Sequence, residues 1–178
     1  MKKAIAVLLS LSLILCVCAS GAETAGKTHL GTLNVNGAFD LNCAIPEGYE
    51  FNIIQADTTQ ILASIESKDE TKPVMKLTIA YNELCSDIKR LNDVSDDDLA
   101  KIEETFKAED EVEISYRYTS YGTKLLMVQA GQEYVDFYTI YLGYEIEFVL
   151  NAGSEGLSET QIQMVIDFLS DLDFVSAA

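Results

Sequence analysis

Tyr134-Val135-Asp136-Phe137-Tyr138-Thr139-Ile140-Tyr141-Leu142-Gly143-Tyr144-Glu145-Ile146-Glu147-Phe148-Val149-Leu150 is the stretch that decides the fold class. It reads as two strands, Tyr134 to Leu142 and Tyr144 to Leu150. In the second, Tyr144, Ile146, Phe148 and Leu150 share one side while Glu145 and Glu147 share the other, the period of two of a strand with one buried face. In the first, Tyr134 and Tyr138 fall on one face, and Tyr141 lies opposite with Val135 and Phe137. Upstream, Val112 to Thr119 and Lys124 to Ala130 extend the run to four antiparallel strands.

Two helix starts bracket this run. Ser158 and Gln161 form a capping box, and Leu157 and Ile162 a hydrophobic staple, so a helix follows that buries Ile162, Val165, Ile166, Leu169 and Leu172. On the other side, Ser95 caps a helix from Asp96 to Lys107. Val94 staples to Leu99, and Asp96, Asp97 and Asp98 sit on the positive helix end. Further upstream, Leu33 to Val35, Phe39 to Cys43, Tyr49 to Ala56, Ile61 to Glu66 and Met75 to Tyr81 alternate as half-buried strands. The spacing of Leu84, Ile88 and Leu91 predicts a short helix. Strands, helix, strands, helix is the order of an α+β fold: a central, mostly antiparallel sheet flanked by helices.

The 178 residues carry 12 Lys and Arg against 29 Asp and Glu, a formal charge of -17. The field of such a chain repels nucleic acid phosphates and anionic lipid head groups, so nucleic-acid binding is excluded. Apolar residues make up 48% of the chain, enough for a core rather than disorder. Met1-Lys2-Lys3, the apolar run Ala4 to Ala19 and the small residues Ser20-Gly21-Ala22 read as a signal peptide over residues 1–22, cleaved before Glu23. The run is too short to span a bilayer. Leu15 and Val17 precede Cys16 and Cys18 where a lipidation site wants a small residue. Loss of Lys2 and Lys3 takes the charge from -17 to -19. Residues 23–30 read as a flexible leader and 31–178 as a single domain, exported to the exterior or the cell envelope, with no membrane span in the mature chain.

Several chemistries lose their usual residues. The only His is His29, beside the new N-terminus, so a His-dependent triad has no base. One His and no Cys cluster leave a catalytic zinc without ligands, and no GxGxxG, Walker or HExxH pattern occurs. Nothing calls for a cofactor. Glu145 and Glu147 on one strand face, with Asp136 on the neighbouring strand, form the one carboxylate constellation suited to acid–base hydrolysis; the alternative is a solvated face. Asp93, Asp96, Asp97 and Asp98 are weak candidates for calcium, without EF-hand spacing, and capping already accounts for them. Cys43 and Cys85 read either as a disulfide, worth about 3 to 4 kcal/mol in the chain-entropy model, or as two small buried apolar residues. Tyr116, Tyr118, Tyr138 and Tyr141 are the candidate binding residues, since Tyr buries ring area while its hydroxyl takes a partner. The alternative is a sheet covered on both faces.

Four segments carry a family resemblance: Phe39-Asp40-Leu41 before Ile45-Pro46-Glu47-Gly48-Tyr49; Tyr118-Thr119-Ser120-Tyr121-Gly122-Thr123-Lys124; Tyr138 to Tyr144; and Phe168-Leu169-Ser170-Asp171-Leu172-Asp173-Phe174. Together they resemble small exported bacterial proteins of the PsbP-like superfamily, across nearly the whole mature chain. Tyr49 stands where relatives frequently have Trp. The resemblance implies an α/β/α sandwich and a binding or assembly role, and it transfers no catalytic or ligand residue. The expectation is an exported, acidic, non-enzymatic domain that binds a protein or cell-envelope component. A small secreted hydrolase using a carboxylate pair and a weak calcium-dependent extracellular module are the rivals.

Overall fold

A computed structural model describes residues 29–45, 47–69, 72–108, 111–152 and 156–177. The signal peptide expected at 1–22 and the leader through residue 28 lie outside the described residues. In chain order the elements are β1 (His29–Val35), β2 (Phe39–Ile45), β3 (Tyr49–Ala56), β4 (Gln60–Ser67), β5 (Met75–Tyr81), α1 (Asp96–Lys107), β6 (Glu113–Tyr118), β7 (Lys124–Ala130), β8 (Tyr134–Tyr141), β9 (Tyr144–Asn151), α2 (Glu159–Ser170) and β10 (Asp173–Ser176). Seven strands form one sheet in the order β3-β4-β5-β9-β8-β7-β6, and β1-β2-β10 form a second. Every pairing is antiparallel.

The expected α+β fold, a central sheet flanked by helices in an α/β/α sandwich, is corrected by this arrangement. The protein is mostly β, 50% strand against 22% helix, with two sheets and only two α-helices among the described residues. The reason lies in β2, where Phe39, Leu41, Cys43 and Ile45 are buried and Asp40, Asn42 and Ala44 are half-buried. A strand with one apolar face needs an apolar surface opposite it. Here β2, flanked by β1 and β10, lays that face against the seven-stranded sheet beside α2. Leu172, read as part of the last helix, lies just past its end at Ser170, and the residues after it supply β10, whose Phe174 is buried. The expected helix over Leu84 to Leu91 is two short 3-10 turns, Glu83–Cys85 and Leu91–Asp93. Asn82 caps the first by accepting from the Leu84 amide, and Leu84 itself is 73% exposed.

The large sheet has a core on each face. On one, Leu77, Ile79, Phe137, Ile146 and Phe148 meet Phe39, Leu41, Val165 and Leu169. On the other, Leu126, Val128, Tyr138 and Ile140 meet Leu91, Leu99 and Cys85, with Phe106 of α1 edge-on to Tyr138 at 5.8 Å between centroids. Both cores are legible in β8, which is buried on both faces from Val135 to Tyr141. An aromatic cluster locks the sheets together: Phe39 packs edge-on to Tyr141 at 5.0 Å and Tyr144 at 5.5 Å, and the Tyr141 hydroxyl donates to the Phe174 carbonyl at 3.0 Å.

Both helix starts form as their sequences specify. The Ser95 side chain accepts from the Asp98 amide, and Ser158 with Gln161 closes a full capping box. The β8–β9 turn puts Leu142 at φ 49° and Gly143 at φ 80°. Gly143 is needed twice over, because a Cβ there would meet the Tyr81 ring at 3.1 Å and the Ser86 backbone at 3.2 Å.

Candidate functional site

The β8–β9 register sets Tyr138 opposite Glu147, Ile140 opposite Glu145 and Asp136 opposite Val149. Asp136, Tyr138, Glu145 and Glu147 therefore share the α1 side of the sheet. The Tyr138 hydroxyl donates to Glu145 Oε1 at 2.7 Å, and Asn82 Nδ2 donates to Oε2 at 2.9 Å. Both oxygens of Glu145 are thus engaged. Asp136 is 5% exposed, and its Oδ1 has no hydrogen-bond partner among the described residues. Burial pushes the Asp136 carboxyl well above the usual range, and the charge of Glu147 and a hydrogen bond to it push further the same way. Burial raises the Tyr138 phenol too, helped by the Glu145 charge, and lifts the Cys85 thiol to about 11, again with Glu145 adding to it.

Hydrolysis of a glycosidic bond needs two acids about 5 to 9.5 Å apart, with the scissile bond between them. Asp136 and Glu147 are joined by a hydrogen bond, Asp136 is buried, and Glu145 is tied on both oxygens. The register brings all three acids to one side of the sheet, with Asp136 buried and Glu145 already held by Tyr138 and Asn82.

Of the calcium candidates, Asp98 accepts from the Ser95 hydroxyl at 2.8 Å and from the Lys101 ammonium. Those contacts lower the Asp98 carboxyl from its ordinary value, the Lys101 hydrogen bond contributing most. Asp93 lies in the second 3-10 turn, and Asp96 and Asp97 open α1. No group of three or more His, Cys, Asp or Glu side chains converges to hold a metal among the described residues. Cys43 and Cys85 are both free and buried, and the disulfide considered for them does not form. Cys43 belongs to the core under β2 and Cys85 to the core under α1, so the large sheet stands between them.

The four candidate tyrosines do not make one surface. Tyr138 and Tyr141 are buried on opposite faces of β8. Tyr116 is half-buried, its hydroxyl donating to Glu103 at 2.7 Å and its ring covered by Lys124 at 4.6 Å. Burial first and Glu103 second raise that phenol to about 12. Tyr118 alone is open, at 58% exposure, and the structure pairs it with a residue that the sequence reading did not single out for binding: Tyr121, at 62%.

These two rings flank a loop with a fixed backbone. Thr119 and Thr123 are buried, and the Thr119 side chain accepts from the amides of Tyr121 at 3.3 Å and Thr123 at 3.2 Å. The Thr119 amide donates to the Thr123 carbonyl, and the Gly122 amide to the Thr119 carbonyl, with Gly122 at φ 81°. Asn92 clamps the far side by donating to the Gly122 carbonyl and accepting from the Lys124 amide, both at 3.0 Å. The Ser120 amide donates to the Ser170 carbonyl at the end of α2 at 2.7 Å. A loop held on three sides presents two aromatic rings to solvent at no further ordering cost. Its trace in the sequence is Tyr118-Thr119-Ser120-Tyr121-Gly122, two tyrosines around a turn with a Thr that bonds its own backbone.

The chain matches no family model and no curated protein. Among the described residues no helix is long and apolar enough to cross a membrane.

Proposed function

We propose that this protein is an exported, acidic, non-enzymatic binding domain that engages a protein or cell-envelope component through the loop bearing Tyr118 and Tyr121. The observation that carries the reading is the pairing of exposed rings with a pinned backbone. A Tyr ring left in water gives up burial that folding normally captures, and a partner that covers two such rings regains it at about 25 cal/mol per Å². Rigid display lowers the entropy lost on association, so a small loop can serve as an anchor. The charge of -17 steers the domain away from anionic surfaces and towards neutral or cationic ones.

The test compares the secreted protein with its Tyr118→Ser/Tyr121→Ser variant for binding to native envelope and medium fractions, with thermal unfolding as the control for folding. Loss of at least about tenfold in binding at unchanged stability is expected, as for removal of two interface anchors. Equal binding by both proteins, or turnover of wall glycan or peptide that survives the substitution, would overturn the reading.

A further inference from the structure

β3 closes one end of the seven-stranded sheet, and β4 is the only strand that pairs with it among the described residues. Its outer edge presents a row of amides and carbonyls to which a further strand can bond. Proteins guard such edges with charge, Pro, a bulge or an overlying element. At the other end β6 is guarded, since Glu113 and Arg117 are exposed on it and Ile114 and Tyr116 pack into the core under α1. β3 has far less protection. Its one charged residue, Glu50, is held by Lys68 at 3.3 Å, and Phe51-Asn52-Ile53-Ile54-Gln55-Ala56 carries neither charge nor Pro. A bulge between Ile53 and Gln55 is its one irregularity, and Ile53 and Ile54 stand there 54% and 50% exposed. We infer that β3 is a homodimer interface, at which two copies join edge to edge, antiparallel about a two-fold axis at Ile53, and merge their large sheets into one.

The placing of charge along the chain selects this edge and a second copy as its occupant. Residues 49–81, which hold β3, β4 and β5, carry three Lys against five acids, whereas residues 82–178 carry six Lys and Arg against 21 acids. Most of the charge of -17 therefore lies beyond the β3–β5 meander, and β3 is the edge of the large sheet where two copies meet with the least repulsion. The two ends of the strand are also complementary. Beside its start stands the exposed Lys72, with its ammonium 5.8 Å from the centre of the Tyr49 ring. Just past its end stands Asp57, whose carboxylate accepts from the Thr59 amide at 2.8 Å and from the Gln60 amide and the Gln55 side chain, both at 2.9 Å. A two-fold axis at Ile53 sets Tyr49 of each copy opposite Asp57 of the other, which brings Lys72 to that carboxylate twice and lays the two Ile53–Ile54 pairs together. A strand from another protein would need a cation at its start, an apolar centre and an anion at its end, and a second copy supplies all three by symmetry. The inference goes beyond the tyrosine-loop reading and does not depend on it. The loop joins β6 to β7 at the end of the sheet remote from β3, so a dimer displays two open loops and binds a repetitive surface with avidity.

Sedimentation equilibrium of a chain prepared to begin at Glu23, from about 1 to 100 µM in about 0.15 M salt, is expected to show a monomer–dimer equilibrium. Ile53→Lys/Ile54→Lys puts charge at the centre of the edge and is expected to weaken dimerisation at least about tenfold, with thermal unfolding of the dilute protein unchanged. Lys72→Glu sets an acid against Asp57 in both halves of the interface and is expected to weaken it about fivefold. Amide exchange within Asn52 to Gln55 is expected to slow as concentration rises. A wild type that stays monomeric at about 100 µM would overturn the inference and leave the edge to a strand from another protein. A dimer that survives Ile53→Lys/Ile54→Lys, or whose β3 amides exchange alike at low and high concentration, would overturn it by placing the contact elsewhere. Tyr118→Ser/Tyr121→Ser is expected to keep the dimer, and loss of the dimer in that variant would move the interface to the loop. Self-association and binding to envelope fractions are separate measurements, so failure of the loop reading and failure of this one are distinguishable.

Discussion

Substituting Asp136 by Asn removes a carboxyl proton that burial favours in the fold and that the unfolded chain gives up near pH ~4. An unfolded Asp titrates near 3.9. In the fold, burial, the Glu147 charge and the hydrogen bond to Glu147 keep Asp136 protonated well above that. Between the two titrations the native state carries one more proton than the unfolded state. Stability therefore falls as pH rises, with a slope of about 1.4 kcal/mol per pH unit for one proton. The contribution is fully present below pH ~4 and is lost as pH climbs through the folded value. In the Asp136→Asn variant the amide keeps the shape of the carboxyl and can donate to Glu147, with no proton to release. The difference in unfolding free energy between variant and wild type should be smallest near pH ~4 and grow with that slope in the variant's favour. Each pH unit below the folded titration should widen that gap by about 1.4 kcal/mol, whatever the offset between the two proteins at pH ~4. Urea unfolding of both proteins from about pH 4 to 8 measures this, and the subtraction cancels the repulsion among the other carboxylates. Parallel pH profiles of the two proteins would refute a proton held at Asp136.

Ser158→Ala should cost about 1 kcal/mol in urea unfolding by opening the capping box of α2, and a change below a few tenths would show that the helix start is held by Leu157 and Ile162 alone. Gly143→Ala should cost more than about 1 kcal/mol, since it adds a Cβ at φ 80° and presses on Tyr81 and Ser86. A chain prepared to begin at Glu23 should show two thiols to Ellman's reagent in denaturant and react slowly when native. Burial is the main cause that raises both Cys43 and Cys85 to about 11, and recovery of no thiol would restore the disulfide.

Elements with local signatures were legible in the sequence. β9 alternates because one face is apolar and the other carries Glu145 and Glu147, and both α-helices announce themselves through Ser95 and Ser158. Assignments that depend on what a strand meets in three dimensions were not. β10 is four residues long with Phe174 as its one buried side chain, too little for a period to register. The pairing of β2 with β10 creates a second sheet from residues that read equally well as members of the first. Tyr138 and Tyr141 alternate into two separate cores because β8 is covered on both sides, whereas a strand with one wet face would have offered one of them to a partner. Cys43 and Cys85 look like a pair until the sheet between them is placed. Tyr121 sits in a turn, where periodicity says nothing about exposure.

The seam between β5 and β9 bears on how the chain reaches this state. Residues 49–81 form one meander and residues 113–151 another, each closable through local hairpins, and the sheet becomes continuous when Met75–Tyr81 finds Tyr144–Asn151 across all the intervening sequence. Synthesised from the N-terminus, the first meander waits with the backbone edge of β5 unpaired, and the faces of Met75, Leu77 and Ile79 uncovered, until its partner strand has emerged. That delay makes docking of the two meanders a slow step of high contact order. It also marks the β5 edge as the place where a stalled or truncated chain would recruit a foreign strand and begin to aggregate.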